Sequence, residues 1–153
     1  MQLTEHFTAA ELGVLDCDAR IVEAARDLCV RILEPIRAHF GAPVRVHSGY
    51  RDPKHNARVG GKPLSWHLFM HMAGGTQTAV DFDVIGVATD HVFDWMRLHS
   101  KLPFDKAILE RDRSGRPACM HVQYASGVDS QRRLAYVGST GAATDYVPVE
   151  VNA

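Results

Sequence analysis

The sequence predicts an α+β domain, with helices leading and an antiparallel sheet behind them. Three observations predict it. Apolar residues recur at spacings of three and four between positions 21 and 40, as on one face of a helix. From Ala79 onward they alternate singly, as in strands with one buried face. Helical and strand patterns are segregated along the chain, which disfavours a doubly wound sheet. The 153 residues match one domain, for which about 150 is usual, so a single domain over 1–153 is expected. A chain of this size buries about 68–70% of its unfolded surface without disulfides.

The elements follow in order. Thr8-Ala-Ala-Glu11 has the form of a capping box and predicts a short first helix. Asp18 caps a longer one carrying Ile21, Val22, Ala25, Leu28, Ile32, Leu33, Ile36 and Phe40. Pro35 is expected to kink it and Gly41 to end it. Val44 to Ser48 reads as a strand entering the turn Gly49-Tyr50-Arg51. Asp52-Pro53 then starts a helix that Gly60-Gly61 stops. Lys62 to Thr78 has no clean period and holds His67 and His71; long irregular stretches in compact domains are usually functional or disordered. Val80, Phe82 and Val84 then share one strand face, and Asp81 and Asp83 the other. Thr89 caps a helix reaching His99. Two strands, Ala107 to Glu110 and Cys119 to Tyr124, are joined by the polar turn Arg113 to Pro117. Met120, Val122 and Tyr124 share a face, leaving His121 and Gln123 opposite. After Ser126 the signals weaken.

Composition excludes several functions. Lys plus Arg number 17 and Asp plus Glu 18, a formal charge of −1. Nothing there drives phosphate-backbone binding, so no nucleic-acid partner is expected. Apolar runs of a few residues exclude a membrane-spanning helix. The start Met1-Gln-Leu-Thr-Glu-His6 lacks the charged and apolar regions of a secretory signal, so synthesis in the cytoplasm is expected. Three scattered cysteines, Cys17, Cys29 and Cys119, form no disulfide framework. Nine histidines against four tyrosines and two tryptophans direct attention to imidazole chemistry.

Two strands present polar faces, Asp81 with Asp83 and His121 with Gln123, and the preceding loop supplies His67 and His71. Buried carboxylates and imidazoles are costly unless paired or bound to metal. Two histidines and a carboxylate with an open position form a catalytic zinc arrangement. Hydrogen-bonded or solvated sheet residues are the plainer reading of the same pattern. Cys119 alternates onto the His121 face and is a conceivable further ligand, although free cysteines are mostly buried small hydrophobes. His47 reads as structural, Trp66 and Phe69 as either cleft wall or loop packing.

The ordered set Glu5-His-Phe-Thr8, Leu33-Glu-Pro-Ile-Arg37, Val46-His-Ser-Gly-Tyr-Arg51, Asn56, Val59-Gly-Gly61, Ser65-Trp-His67, Ala79-Val-Asp-Phe82, Phe104-Asp105, Ile108-Leu-Glu110 and His121-Val122 resembles one family. It is similar to the zinc D-Ala-D-Ala carboxypeptidases, a family that includes bacteriophage L-Ala-D-Glu endolysins and the vancomycin-resistance dipeptidases. The resemblance implies a small hedgehog/DD-peptidase-like domain, its N-terminal helices packed on an antiparallel sheet that carries the metal. It implies Zn²⁺ held by His67, Asp81 and His121. It gives Arg51 the substrate carboxylate or carbonyl oxygen, a task suited to a planar, permanently charged guanidinium. Ser65 becomes an orienting or substrate-contacting group beside the first ligand.

The sequence departs from the family pattern twice. The loop between His67 and Asp81 is longer than usual and brings in His71 as an alternative ligand. The position three before the last histidine, where well-known branches carry the general base, is Ala118, which accepts no proton. Glu110, ending the preceding strand, takes that role in this reading, with Asp112 and His71 as substitutes. The expectation is a monomeric zinc metallopeptidase cutting peptidoglycan stem peptides at the cell wall, after phage-mediated release or within a virion. The alternative is a non-catalytic, zinc-containing wall-binding or virion module, which Ala118 favours. A zinc-free small-molecule binder ranks last.

Overall fold

The computed structural model describes residues 1–139 and 142–152. An N-terminal segment precedes α1 (Ala19–Leu28), α2 (Glu34–Phe40), β1 (Val44–Ser48), α3 (Pro53–Arg58), β2 (His71–Met72), β3 (Gly75–Val84), α4 (Thr89–Asp94), β4 (Lys106–Arg111), β5 (Pro117–Ser126), β6 (Leu134–Ser139) and β7 (Ala142–Val149). The strands form one seven-stranded sheet in the order β1-β3-β5-β4-β6-β7, with β2 paired to β3. This is the α+β class that the segregated periodicities predict.

Alternation gives the sheet two unlike faces. Val80, Phe82 and Val84 of β3, Ala107 and Leu109 of β4, and Met120, Val122 and Tyr124 of β5 all join the buried core. Helices α1 and α4 pack against these strands and contribute Ile21, Val22, Leu28, Val92 and Phe93. The intervening residues face the other way, Asp81 and Asp83 on β3, Ile108 and Glu110 on β4, His121 and Gln123 on β5. A slip of one residue in any strand would exchange the faces, so burial of the apolar set locks the register that displays the polar one.

The long helix starts and stops where its caps predict. Asp18 accepts from the Ile21 N–H at 3.0 Å, and Gly41 closes the far end in the left-handed conformation. Between them the helix widens at Cys29–Leu33, where the Glu34 N–H reaches back to the Cys29 carbonyl. This π turn precedes Pro35, whose ring supplies no amide hydrogen to continue the ladder. A second wide turn, Trp95–His99, follows α4.

Three expectations change. The Thr8–Glu11 capping box forms, with the Thr8 N–H donating to Glu11 at 2.8 Å and the Glu11 N–H to Thr8 Oγ1 at 3.3 Å. It closes a turn instead of a helix, because Gly13 goes left-handed and the Val14 N–H returns to Ala9 O. Thr89 is the first residue of α4, and the capping position before it is Ala88. The sheet is mixed, since β4 and β6 run parallel. Strand β5 ends beside the start of β4, so residues 127–133 need only step across that edge to begin β6 next to Lys106. Asp105 pins the step, accepting from Arg132 Nε and Nη2 at 2.9 and 2.6 Å while its carbonyl accepts from the Leu134 N–H.

Candidate metal centre and catalytic cleft

Asp81 and His121 are direct cross-strand partners on β3 and β5, and their side chains share the face opposite the core. His67 reaches them from the short 3₁₀ turn Trp66–Leu68. Ser65 begins that turn by accepting the His67 N–H at 3.3 Å, and buried Phe69 ends it in the left-handed region. The His67 ring is only 3% exposed. Its Nδ1 lies 2.6 Å from the Gly49 carbonyl. A carbonyl only accepts, so Nδ1 donates to it, and Nε2 is the ring nitrogen left to face the other two residues. Gly49 can present that carbonyl because it has no side chain: a Cβ there would lie 2.5 Å from Leu12 O.

The three donors converge. One ligand atom from each of His67, Asp81 and His121 lies within 4.8 Å of the others. Asp81 Oδ1 is 2.8 Å from His121 Nδ1, and Oδ2 is 3.2 Å from His67 Nε2. Burial alone would raise the Asp81 pKa. The bonds from His121 and His67 win and hold the carboxyl well below the usual carboxylate range. His67 Nε2 and the Asp81 carboxylate thus face each other directly, and a cation held there would be ligated by both. Two imidazoles and a carboxylate, one imidazole oriented by a backbone carbonyl, suit zinc.

Around this group lies a cleft of about 640 Å³ lined by Arg51, Ser65, Trp66, Glu110, Gln123 and Tyr146, among others. Arg51 donates from Nη2 to Asp81 Oδ2 at 3.2 Å and from Nε to Ser48 Oγ at 3.0 Å, and its N–H donates to the His67 carbonyl at 2.8 Å. Glu110 lies on the cleft face of β4, where Tyr146 Oη donates to its Oε1 at 3.2 Å. Burial, with the Asp81 charge adding to it, pushes the Glu110 carboxyl above its ordinary value against opposing pulls from His121, Tyr146 and Arg51. An upward shift moves a carboxylate toward the range in which it exchanges protons efficiently near neutrality.

The sequence profile of the peptidase M15 family matches residues 5–114. The chain belongs to the peptidase M15 family. It is thereby a zinc-dependent metallopeptidase, and the His67–Asp81–His121 group is where its residues could hold the ion. No curated protein sequence matches the chain significantly. The family match ends before His121, which the β3–β5 pairing brings to Asp81.

Other candidates in this M15 peptidase fall elsewhere. His71 is exposed in β2 opposite Thr76 and does not belong to the metal-competent group. Asp112 sits in the β4–β5 turn, accepting from the Ser114 and Arg116 N–H groups at 2.8 and 3.1 Å. Asp83 is held by Arg45 at 2.9 and 2.7 Å and by His47 at 2.7 Å. Burial, with Asp81 and Glu110 nearby, pushes the Cys119 thiol up to about 12, and Cys119 does not belong to the metal-competent group. Trp66 lines the cleft, whereas Phe69 packs in the core. Sequence reasoning missed Tyr146, Lys106 and Arg132, all of which line the cleft. The single alternation of Lys106 with Ile108 and Glu110 was the available signal for the lysine. Tyr146 had none strong enough, because its strand lies beyond Ser126.

Proposed function

We propose that this M15 peptidase hydrolyses peptide bonds in the stem peptides of bacterial peptidoglycan, as a D-Ala-D-Ala carboxypeptidase or an L-Ala-D-Glu-type endopeptidase. The observation that carries the reading is the convergence of His67, Asp81, His121, Arg51 and Glu110 on one cleft. The resemblance of the motifs to wall-cutting enzymes supports the substrate class and a place of action at the cell wall, reached through a phage or virion. His67, Asp81 and His121 would hold the zinc, which when bound would supply a Lewis acid able to polarise a carbonyl and to lower the pKa of water to about 7. Glu110 accepts the proton of the attacking water and returns it to the leaving amine. Arg51 binds the substrate carboxylate or steadies the developing oxyanion. Ser65 holds the turn that carries His67.

Ala118 favours a non-catalytic wall-binding module, because the acid expected at that position is missing. Glu110 answers it from the neighbouring strand, one register position away at Cys119. The test is zinc content together with digestion of purified peptidoglycan by wild type, His121→Ala and Glu110→Gln. The peptidase reading expects about one zinc per wild-type chain and released stem fragments whose masses name the bond. It expects His121→Ala to lose the metal, and Glu110→Gln to keep metal while losing at least about 100-fold in rate. Zinc without turnover in wild type would establish the binding module instead.

A further inference from the structure

The cleft floor is a ladder whose rungs are set by the β4–β5 register. Ile108 stands opposite His121, Glu110 opposite Cys119, and Lys106 opposite Gln123. Each step of two residues is about 7 Å. Glu110 and Lys106 therefore lie on opposite sides of the metal-competent group, about 13 Å apart along β4. One end of the cleft offers a carboxyl group and the other an ammonium.

Lys106 is half-buried, and no carboxylate pairs with it among the described residues. Its ammonium lies 5.5 Å from the centre of the Tyr136 ring. Burial depresses its pKa, and the nearby Arg132 charge pushes the same way. Asp105, the acid whose charge acts on it, is taken by Arg132 through two bonds. Across the rung, Gln123 has its amide nitrogen 3.3 Å from His121 Nε2, while its Oε1 is buried with no partner. A desolvated ammonium and a desolvated acceptor are both costly when unpaired. Both residues line the cleft, and a ligand carboxylate entering it can pair the Lys106 ammonium.

We infer that Lys106, with Gln123 beside it on the cleft floor, forms a subsite for a substrate residue bearing a free carboxylate, which the Lys106 ammonium pairs. The inference rests on the peptidase reading, which sets the direction of the substrate. Glu110 serves the leaving amine, so the opposite end of the cleft receives the acyl half. A separation of about 7 Å from the His121 rung corresponds to the second residue before the scissile bond. The subsite makes the enzyme selective for stems whose side chain at that residue ends in a carboxylate rather than an amide or an amine.

Three synthetic peptides test it, identical except that this side chain ends in carboxylate, carboxamide or ammonium. Binding is measured by calorimetry on the metal-free chain, and kcat/KM on the zinc-loaded one. Wild type is expected to bind the carboxylate peptide about tenfold more tightly than the carboxamide, and the ammonium peptide most weakly. Lys106→Met, which keeps the apolar stem, brings the carboxylate peptide down to the carboxamide's affinity. Lys106→Arg restores part of the preference, and Lys106→Glu turns it toward the ammonium peptide. Lys54→Met removes the same charge on α3 and keeps the preference. Equal binding of carboxylate and carboxamide by wild type, or a preference that survives Lys106→Met, overturns the subsite even if cleavage occurs. A Lys106-dependent preference without cleavage supports the subsite and refutes the peptidase reading.

Discussion

Deleting one oxygen atom tests whether Glu110 is the proton acceptor and what tunes it. The Tyr146 ring sits where Gly138 leaves room, since a Cβ on Gly138 would overlap it, and its hydroxyl donates to Glu110 at 3.2 Å. Tyr146→Phe keeps the ring in that space and removes only the donor. A hydrogen bond to a carboxylate favours the ionised form, so its loss raises the Glu110 pKa. The change adds to the upward push of burial and Asp81. Bonds to charged groups contribute about 1.5–3 kcal/mol; at 3.2 Å this one belongs below that range, at about 1 kcal/mol. At 1.36 kcal/mol per unit that is about 0.7 of a pH unit. The assay is kcat/KM against pH for the zinc-loaded enzyme on a stem peptide. The acid limb, where Glu110 must lose its proton to act, is expected to move to higher pH by about that amount. A limb that stays in place, or moves to lower pH, refutes the assignment of Glu110 as the ionising base.

Three further outcomes follow from the geometry. Gly49→Ala drives a Cβ against Leu12 O and displaces the carbonyl that orients His67, so zinc affinity falls about 10- to 100-fold, read by competition with a chromophoric chelator. Phe82→Ala opens a cavity beneath Asp81 at a fully buried position and costs about 3–5 kcal/mol in urea unfolding. Glu34 tethers the N-terminal segment, accepting from Thr4 Oγ1 at 2.6 Å, the His6 ring Nδ1 at 2.7 Å and the His6 N–H at 2.9 Å; burial raises its pKa, but these bonds outweigh it and the net shift is downward. Its contribution is therefore present above the unfolded-state pKa and is lost as pH falls through the lower folded-state value. Glu34→Gln is expected to be less stable than wild type by about 1 kcal/mol at pH 7, with the gap closing below about pH 4, measured by denaturant titration at each pH.

Local rules were legible where the deciding atoms are neighbours in sequence. Asp18, Gly41, Asp52 and the alternation of Val80 with Phe82 act within a few residues, and each element they predict is present. The capping box at Thr8 shows the limit of that logic. Its hydrogen bonds form as predicted, yet helix or turn is decided by the left-handed Gly13 and by Val14 returning to Ala9. The π turn before Pro35 was not legible, because the predicted kink names a missing hydrogen bond but not the register that absorbs it. The parallel β4–β6 pair was hidden for a longer-range reason. It depends on Asp105 capturing Arg132, an interaction across 27 positions with no periodic trace.

The candidate site was legible because strand alternation does two tasks at once. Packing Val80, Phe82, Met120 and Val122 inward leaves Asp81 and His121 outward on one rung, so the register that completes the core also assembles two of the three metal-competent side chains. The same logic carries Glu110 and Lys106 to that face from β4, since both are an even number of residues from Ile108. Ala118 shows why a position within a motif is a weaker guide than a face. It is exposed and falls where the β4–β5 register shifts between Cys119 and Pro117, so alternation counted from His121 does not bring it to the imidazole. Glu110, on a different strand, has the correct parity and the cleft position. Parity gives only the face, however. The Tyr146 hydroxyl that reaches Glu110 depends on a glycine in β6, and no pattern within β7 announces that space.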